Sequence, residues 1–147
     1  MQKLNRAEVE MVLASGSSLS SSDLSEINLS GIDFSGTDMS SCDLRYTNLT
    51  GALLDSVNLT NSNIGGADLS SASLRKAILK NADLRWAILK NADFSDSDME
   101  GVGLLEAIIS GAKLQNVNLA DADLRSCLLY TSPSPRDRTR SRMPSSA

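Results

Sequence analysis

Residues 77–94 read AILKNADLRWAILKNADF. The heptapeptide AILKNAD fills 77–83 and returns at 87–93, ten residues later. A finer rhythm runs inside it. Leu79, Leu84, Leu89 and Phe94 stand five apart, each with an alanine two places before it. Extended both ways, the same phase picks out Leu24, Leu29, Phe34, Met39, Leu44, Leu49, Leu54, Leu59, Ile64, Leu69 and Leu74 on one side, and Met99, Leu104, Ile109, Leu114, Leu119 and Leu124 on the other. All 21 positions are large and apolar, and Leu19 is in phase with them. Two residues earlier, alanine fills ten of the 21 places; Ser, Thr, Val, Ile and Cys42 fill the rest. Asp or Asn stands between in fourteen cases, among them Asp23, Asn28, Asp43, Asn58, Asp83 and Asp123.

A period of five fits neither ordinary element. An α-helix turns about 100° per residue, so every fifth side chain is displaced by about 140° and no single apolar stripe forms. A straight strand alternates faces, so an odd repeat would send successive leucines to opposite sides. A chain that bends once per pentapeptide meets the requirement. The central residue and the small one two before it then point inward together, and the Asp or Asn between them points out. The remaining two residues form a corner, and those places are rich in Ser, Gly, Thr and Asn, as turns demand. Repeated bends make a coil, and stacked coils pair about 4.8 Å apart. Alanine is needed because the tube is narrow. The aromatic content of 3% follows from the same limit. These residues do not by themselves set the number of corners per coil.

Composition narrows the chemistry. A length of 147 residues suits one domain. No apolar run approaches the ~20 residues of a membrane helix. The first residues, MQKLNRAEVEMVL, carry Glu8 and Glu10 and no apolar stretch with a small-residue cleavage site, so a secretory leader is not expected, nor is membrane contact. Two cysteines and no histidine exclude a disulfide framework, a His-based metal site and Ser/His or Cys/His catalysis. Cys42 occupies an inward small-residue slot and reads as an inert core thiol. No catalytic, cofactor-binding or metal-ligating residue is assigned, no cofactor is expected, and the chain does not read as an enzyme.

Both ends differ from the middle. Residues 1–18 read as a short capping helix and linker, the helix over 5–15 with Asn5 as N-cap, Glu8 completing a capping box, Val9, Val12 and Leu13 facing the first coil, and Gly16 ending it. Residues 127–147 hold all three prolines and four arginines, and the stretch from Cys127 is similar to a translated sequencing-library adapter. The expectation is a non-native, disordered tail, with a natural chain that continues past Ser126 and a possible homodimer through that missing region. Residues 1–126 alone carry 10 Lys+Arg and 17 Asp+Glu, a net charge of -7.

With its SGADLSSASL and KNADLRWAILKNADF segments, the array over residues 19–126 resembles the pentapeptide-repeat family. The resemblance implies an all-β fold: a right-handed quadrilateral β-helix, four pentapeptides per coil and about five coils, behind a short N-terminal capping α-helix. It implies a cytoplasmic bacterial protein with a non-enzymatic, structural or protein-interaction role. Some members mimic B-form DNA and inhibit DNA gyrase, which stands as the alternative.

Four pentapeptides per coil place residues 20 apart on one face. Asp23, Asp43, Asp83 and Asp123 then share a face, with Arg45, Arg85 and Arg125 two residues after three of them. Those carboxylates are expected to bond nearby amides and pair with the arginines rather than hold a metal. Arg75, Lys76, Lys80, Arg85 and Lys90 form a basic belt one coil before the acids Asp93, Asp96, Asp98, Glu100 and Glu106. Mutual neutralisation is the reading, so direct nucleic-acid binding is not expected despite Trp86 within the belt. Ile88 and Ile108 should be outward neighbours with Leu105 close by, and Tyr46 and Trp86 should share a corner two coils apart. These five residues are the candidate surface for an unidentified protein partner.

Overall fold

The computed structural model describes residues 1–128. It contains β1 (Gln2–Lys3), α1 (Arg6–Ala14) and β2 (Ser22–Asp23), followed by an unbroken series of single-residue parallel bridges. Every bridge joins residues 20 apart, from Asp23↔Asp43 through Asp83↔Gly103 to Ile108↔Leu128. One coil therefore takes four pentapeptides, and the chain is an all-β solenoid apart from α1.

Four backbone bonds recur from coil to coil. The central N–H donates to the next coil's outward residue, as Leu84 does to the Gly103 carbonyl at 2.7 Å. The outward N–H donates backward, as Asp83 does to Ser62 at 2.9 Å. The second corner residue donates forward, as Trp86 does to Leu105 at 3.0 Å. The corner is closed by a bond from the following small residue to the central carbonyl, as from Ala87 to Leu84 at 3.1 Å. The second corner residue, third of this four-residue turn, alone has positive φ, the mark of a type II turn.

The inward reading holds. Central residues from Leu19 to Ile109 are buried in one continuous core, with Phe34 and Phe94 in the same column. Leu114, Leu119 and Leu124 are half-buried, because no further coil among the described residues covers them. Three polar inward residues donate to a central carbonyl of the preceding coil: Thr47 to Leu24 at 2.6 Å, Ser62 to Met39 at 2.7 Å, Cys42 Sγ to Leu19 at 3.0 Å. Burial pushes the Cys42 thiol up to about 11, which keeps it protonated.

At the start, Asn5 and Glu8 exchange the two bonds of a capping box, at 2.8 and 3.0 Å. Gly16 ends α1 at φ +73°, donating to Leu13 while Ser17 donates to Val12, a Schellman arrangement that requires a left-handed residue. Val9 is buried in the common core, and Arg6 Nη1 reaches the carbonyls of Asn28 and Ser30 in the first coil. The sequence reading did not include β1, which pairs in parallel with β2.

Two expectations about the far end meet the structure differently. Cys127 and Leu128 continue the ladder, with the Leu128 N–H on the Ala107 carbonyl at 2.8 Å and Cys127 Sγ on Leu104 at 2.9 Å. The ladder therefore runs past Ser126 to the last described residue. The rest of the expected tail, 129–147, lies outside the described residues.

Candidate partner-binding surface

The outward Asp and Asn side chains serve the corners. Each of the fourteen accepts the N–H two residues on, from Ser25 onto Asp23 at 3.0 Å to Arg125 onto Asp123 at 3.1 Å. That amide points out of the tube and has no ladder partner, so the carboxylate or amide oxygen satisfies it. Ser73 departs from the pattern, and there Asp55 of the coil before accepts from the Arg75 N–H at 3.0 Å and from Ser73 Oγ at 2.5 Å. Arg45, Arg85 and Arg125 each fork onto the Asp two residues before them, with Nη2–Oδ2 distances of 2.7, 2.7 and 2.8 Å. These hydrogen bonds hold the carboxyls of Asp43, Asp83 and Asp123 below the usual range, Asp123 at about 2. The basic and acidic belts meet in Arg75–Asp93 at 3.8 Å and Lys80–Asp98 at 3.6 Å.

The candidate residues fall into two groups at one edge of the solenoid. Tyr46 and Trp86 occupy the same corner two coils apart, 64% and 49% exposed. Gly66 lies at the corner between them, and the Tyr46 ring leans across it: an added Cβ on Gly66 would stand 2.4 Å from Tyr46 Cε1. The Arg85 guanidinium sits 5.1 Å from the Trp86 ring centroid while forked onto Asp83. Arg45, Tyr46, Asn63, Gly65, Asp83, Arg85 and Trp86 line a shallow notch of about 190 Å³. Ile88 and Ile108 are bridged neighbours on the adjoining face, half-buried, and Leu128 follows in the same column. Leu105 is half-buried beside them, its carbonyl accepting the Trp86 N–H. Asn63, Gly65 and Gly66 were absent from the sequence reading. Their signal was available, since the chain's one Gly-Gly pair falls 20 residues after Tyr46 and 20 before Trp86.

Tyr46 and Trp86 also hold left-handed backbone, at φ 58° and 62°. Glycine or asparagine fits such a corner; a bulky aromatic there is strained by about 1–2 kcal/mol. Among the described residues, no group of His, Cys, Asp and Glu is arranged to hold a metal ion, and no helix is long and apolar enough to cross a membrane.

A family model described as pentapeptide repeats matches the chain in eight copies, over residues 17–55, 52–91, 67–104 and 87–125. The fold is similar to the crystal structure of a pentapeptide repeat protein, Rfr23, from the cyanobacterium Cyanothece 51142, at 24% identity and a TM-score of 0.73, over 75% of this chain and 89% of that one. It is also similar to a pentapeptide repeat protein of the Arabidopsis thaliana thylakoid lumen, at 32% identity and a TM-score of 0.68, over 70% of this chain and 72% of that one. No curated protein matches the chain.

Proposed function

The chain belongs to the pentapeptide-repeat family, and from that premise we propose that it is a non-enzymatic interaction module: a rigid solenoid that presents Tyr46, Trp86, Leu105, Ile88 and Ile108 to a protein partner in the cytoplasm. The coils are taken as right-handed, because parallel crossovers on twisted strands close favourably only in that hand. α1 and β1 act as the cap that shields Leu19 and the first rungs from edge-to-edge association.

One observation carries the reading. Among the described residues, the two exposed aromatics, Tyr46 and Trp86, sit on strained corners where the fold would be better served by glycine. The tube itself supports a passive scaffold, being filled by leucine and alanine with no room for a substrate. The charge pattern favours this over mimicry of B-form DNA, since Asp43, Asp83 and Asp123 are matched by Arg45, Arg85 and Arg125 and present no continuous row of negative charge.

Affinity capture from a bacterial lysate tests the proposal. Immobilised wild-type protein is expected to hold specific partners that are lost from the Ile88→Asp/Ile108→Asp and Tyr46→Asn/Trp86→Asn variants. The same capture profile from all three would overturn the role given to this surface.

A further inference from the structure

We propose that the edge of the solenoid at Asp33–Ser35 takes up an extended segment of a partner protein as an added parallel strand, one that carries a basic residue followed by an apolar one. The inference rests on the interaction-module reading and gives the module a second contact, away from Tyr46 and Trp86. Coil arithmetic supplies the first argument. Leu4 lies 20 residues before Leu24, is buried, and donates its N–H to the Asp23 carbonyl at 3.1 Å, as Leu24 does to Asp43 at 2.7 Å. Leu19 and Ser21 donate in the same way to Asp38 and Ser40, at 3.0 and 2.9 Å. Residues 2–4 and 17–21 are therefore two sides of a coil that precedes 22–41, and α1 runs in place of its other two sides.

The backbone bonds of coil 22–41 supply the second. Each side of a coil offers two carbonyls to the coil before it, from the outward residue and from the first corner residue. Asp23 and Ser25 accept from the Leu4 N–H and Lys3 Nζ. Asn28 and Ser30 both accept from Arg6 Nη1, at 3.1 and 3.2 Å, and Asp38 and Ser40 are served as above. On the remaining side, the Asp33 and Ser35 carbonyls and the Asp33 N–H have no partner among the described residues. A parallel strand bonds to the N–H and C=O of one residue and the C=O two residues on, which is this set. Asp33 and Ser35 are exposed, and a cavity of about 400 Å³ bounded by Leu13, Gly16, Ser35 and Thr37 gives the added chain room. A whole coil of a second copy cannot stack here, because the other three sides are filled. β1 shows the chemistry of the occupant in cis. Lys3 stands in register with Asp23, its Nζ 3.6 Å from the carboxylate, and Leu4 follows. Asp33 presents a carboxylate at the equivalent place, so a cation followed by an apolar residue suits this side too.

The probe is an acetylated and amidated heptapeptide, SAKLSGS, with its lysine opposite Asp33 and its leucine N–H on the Asp33 carbonyl. Amide exchange followed by NMR on the full chain is expected to show the Asp33 amide slowed at millimolar peptide. The Asp43 amide, already bonded to Ser22 at 3.0 Å, should not change. Methylating the leucine nitrogen removes the central donor and should abolish binding. Asp33→Asn keeps an oxygen for the Ser35 amide, as Asn28 and Asn48 do for theirs, so it should melt with wild type. Its affinity for the peptide should fall by about two- to fivefold, the size of an exposed ion pair. No slowing at Asp33, equal binding of the methylated peptide, or equal affinity for SAELSGS would each overturn the inference. If the peptide fails while lysate capture still depends on Ile88 and Ile108, the interaction-module reading survives without it.

Discussion

At the scale of single residues, the outward Asp or Asn links sequence to corner geometry. Asn58 Oδ1 takes the Thr60 N–H at 3.1 Å and its hydroxyl at 2.7 Å. Ile78, its partner on the next coil, has no polar atom to offer and is 40% exposed. Asn58→Ala leaves an amide without its partner and is expected to cost about 1 kcal/mol. Ile78→Ala, on an adjacent rung of similar shape, should stay within about 0.5 kcal/mol. Chemical denaturation of the two variants checks the difference, and equal losses would show that the corner amide does not need its oxygen. The fourteen Asp and Asn could be read from the sequence as outward, but the amide each one serves could not. That amide is exposed only because the second corner residue turns left-handed, and Tyr46, Lys76 and Trp86 are the last residues from which one would infer a positive φ.

At the scale of elements, α1 and the coils were legible to different depths. Asn5, Glu8 and Gly16 announced both helix ends, since each has a defined hydrogen-bonding job there. β1 was hidden: Gln2–Lys3 is two polar residues with no alternation, and its strand character comes from pairing with Ser22–Asp23. The five-residue period revealed the bend, but the four-corner coil rested on family resemblance, because no residue type must recur every 20 positions for the columns to pack. For the same reason the candidate surface was only half visible. Ile88 and Ile108 could be paired once the coil length was assumed, whereas the notch depends on Gly66 leaving space for the Tyr46 ring. Asn5→Ala should cost about 1 kcal/mol and act locally. Hydrogen exchange is expected to show faster exchange of the α1 amides, such as Val9, with the Leu84 amide unchanged. Equal loss at both positions would mean that α1 and the coils unfold as one unit.

At the scale of the whole molecule, the repeated carboxylates make stability depend on pH in a way that an isolated site would not. Hydrogen bonds hold Asp23, Asp33, Asp38, Asp43, Asp83, Asp93 and Asp123 below their ordinary value of 3.8, with Asp123 at about 2. Each carboxylate therefore binds its proton less readily in the folded chain than in the unfolded one. Its contribution is present above the unfolded value and is lost as pH falls through the folded one. The melting temperature should be level above about pH 5 and decline between about pH 4 and pH 2. General charge repulsion at low pH would give a similar decline, because carboxylate protonation leaves the Lys and Arg charges unopposed. Salt separates the two causes. Repulsion between exposed charges is largely screened at 1 M, where the Debye length is about 3 Å. The first-ranked cause of each shift is a hydrogen bond from a Ser or Arg at contact distance, which salt screens far less. Melting curves from pH 6 to pH 2 in about 0.1 M and about 1 M NaCl are thus expected to keep most of the acid decline in high salt. A decline that vanishes at high salt would assign it to net charge, and the corner carboxylates would then be spacers, not staples.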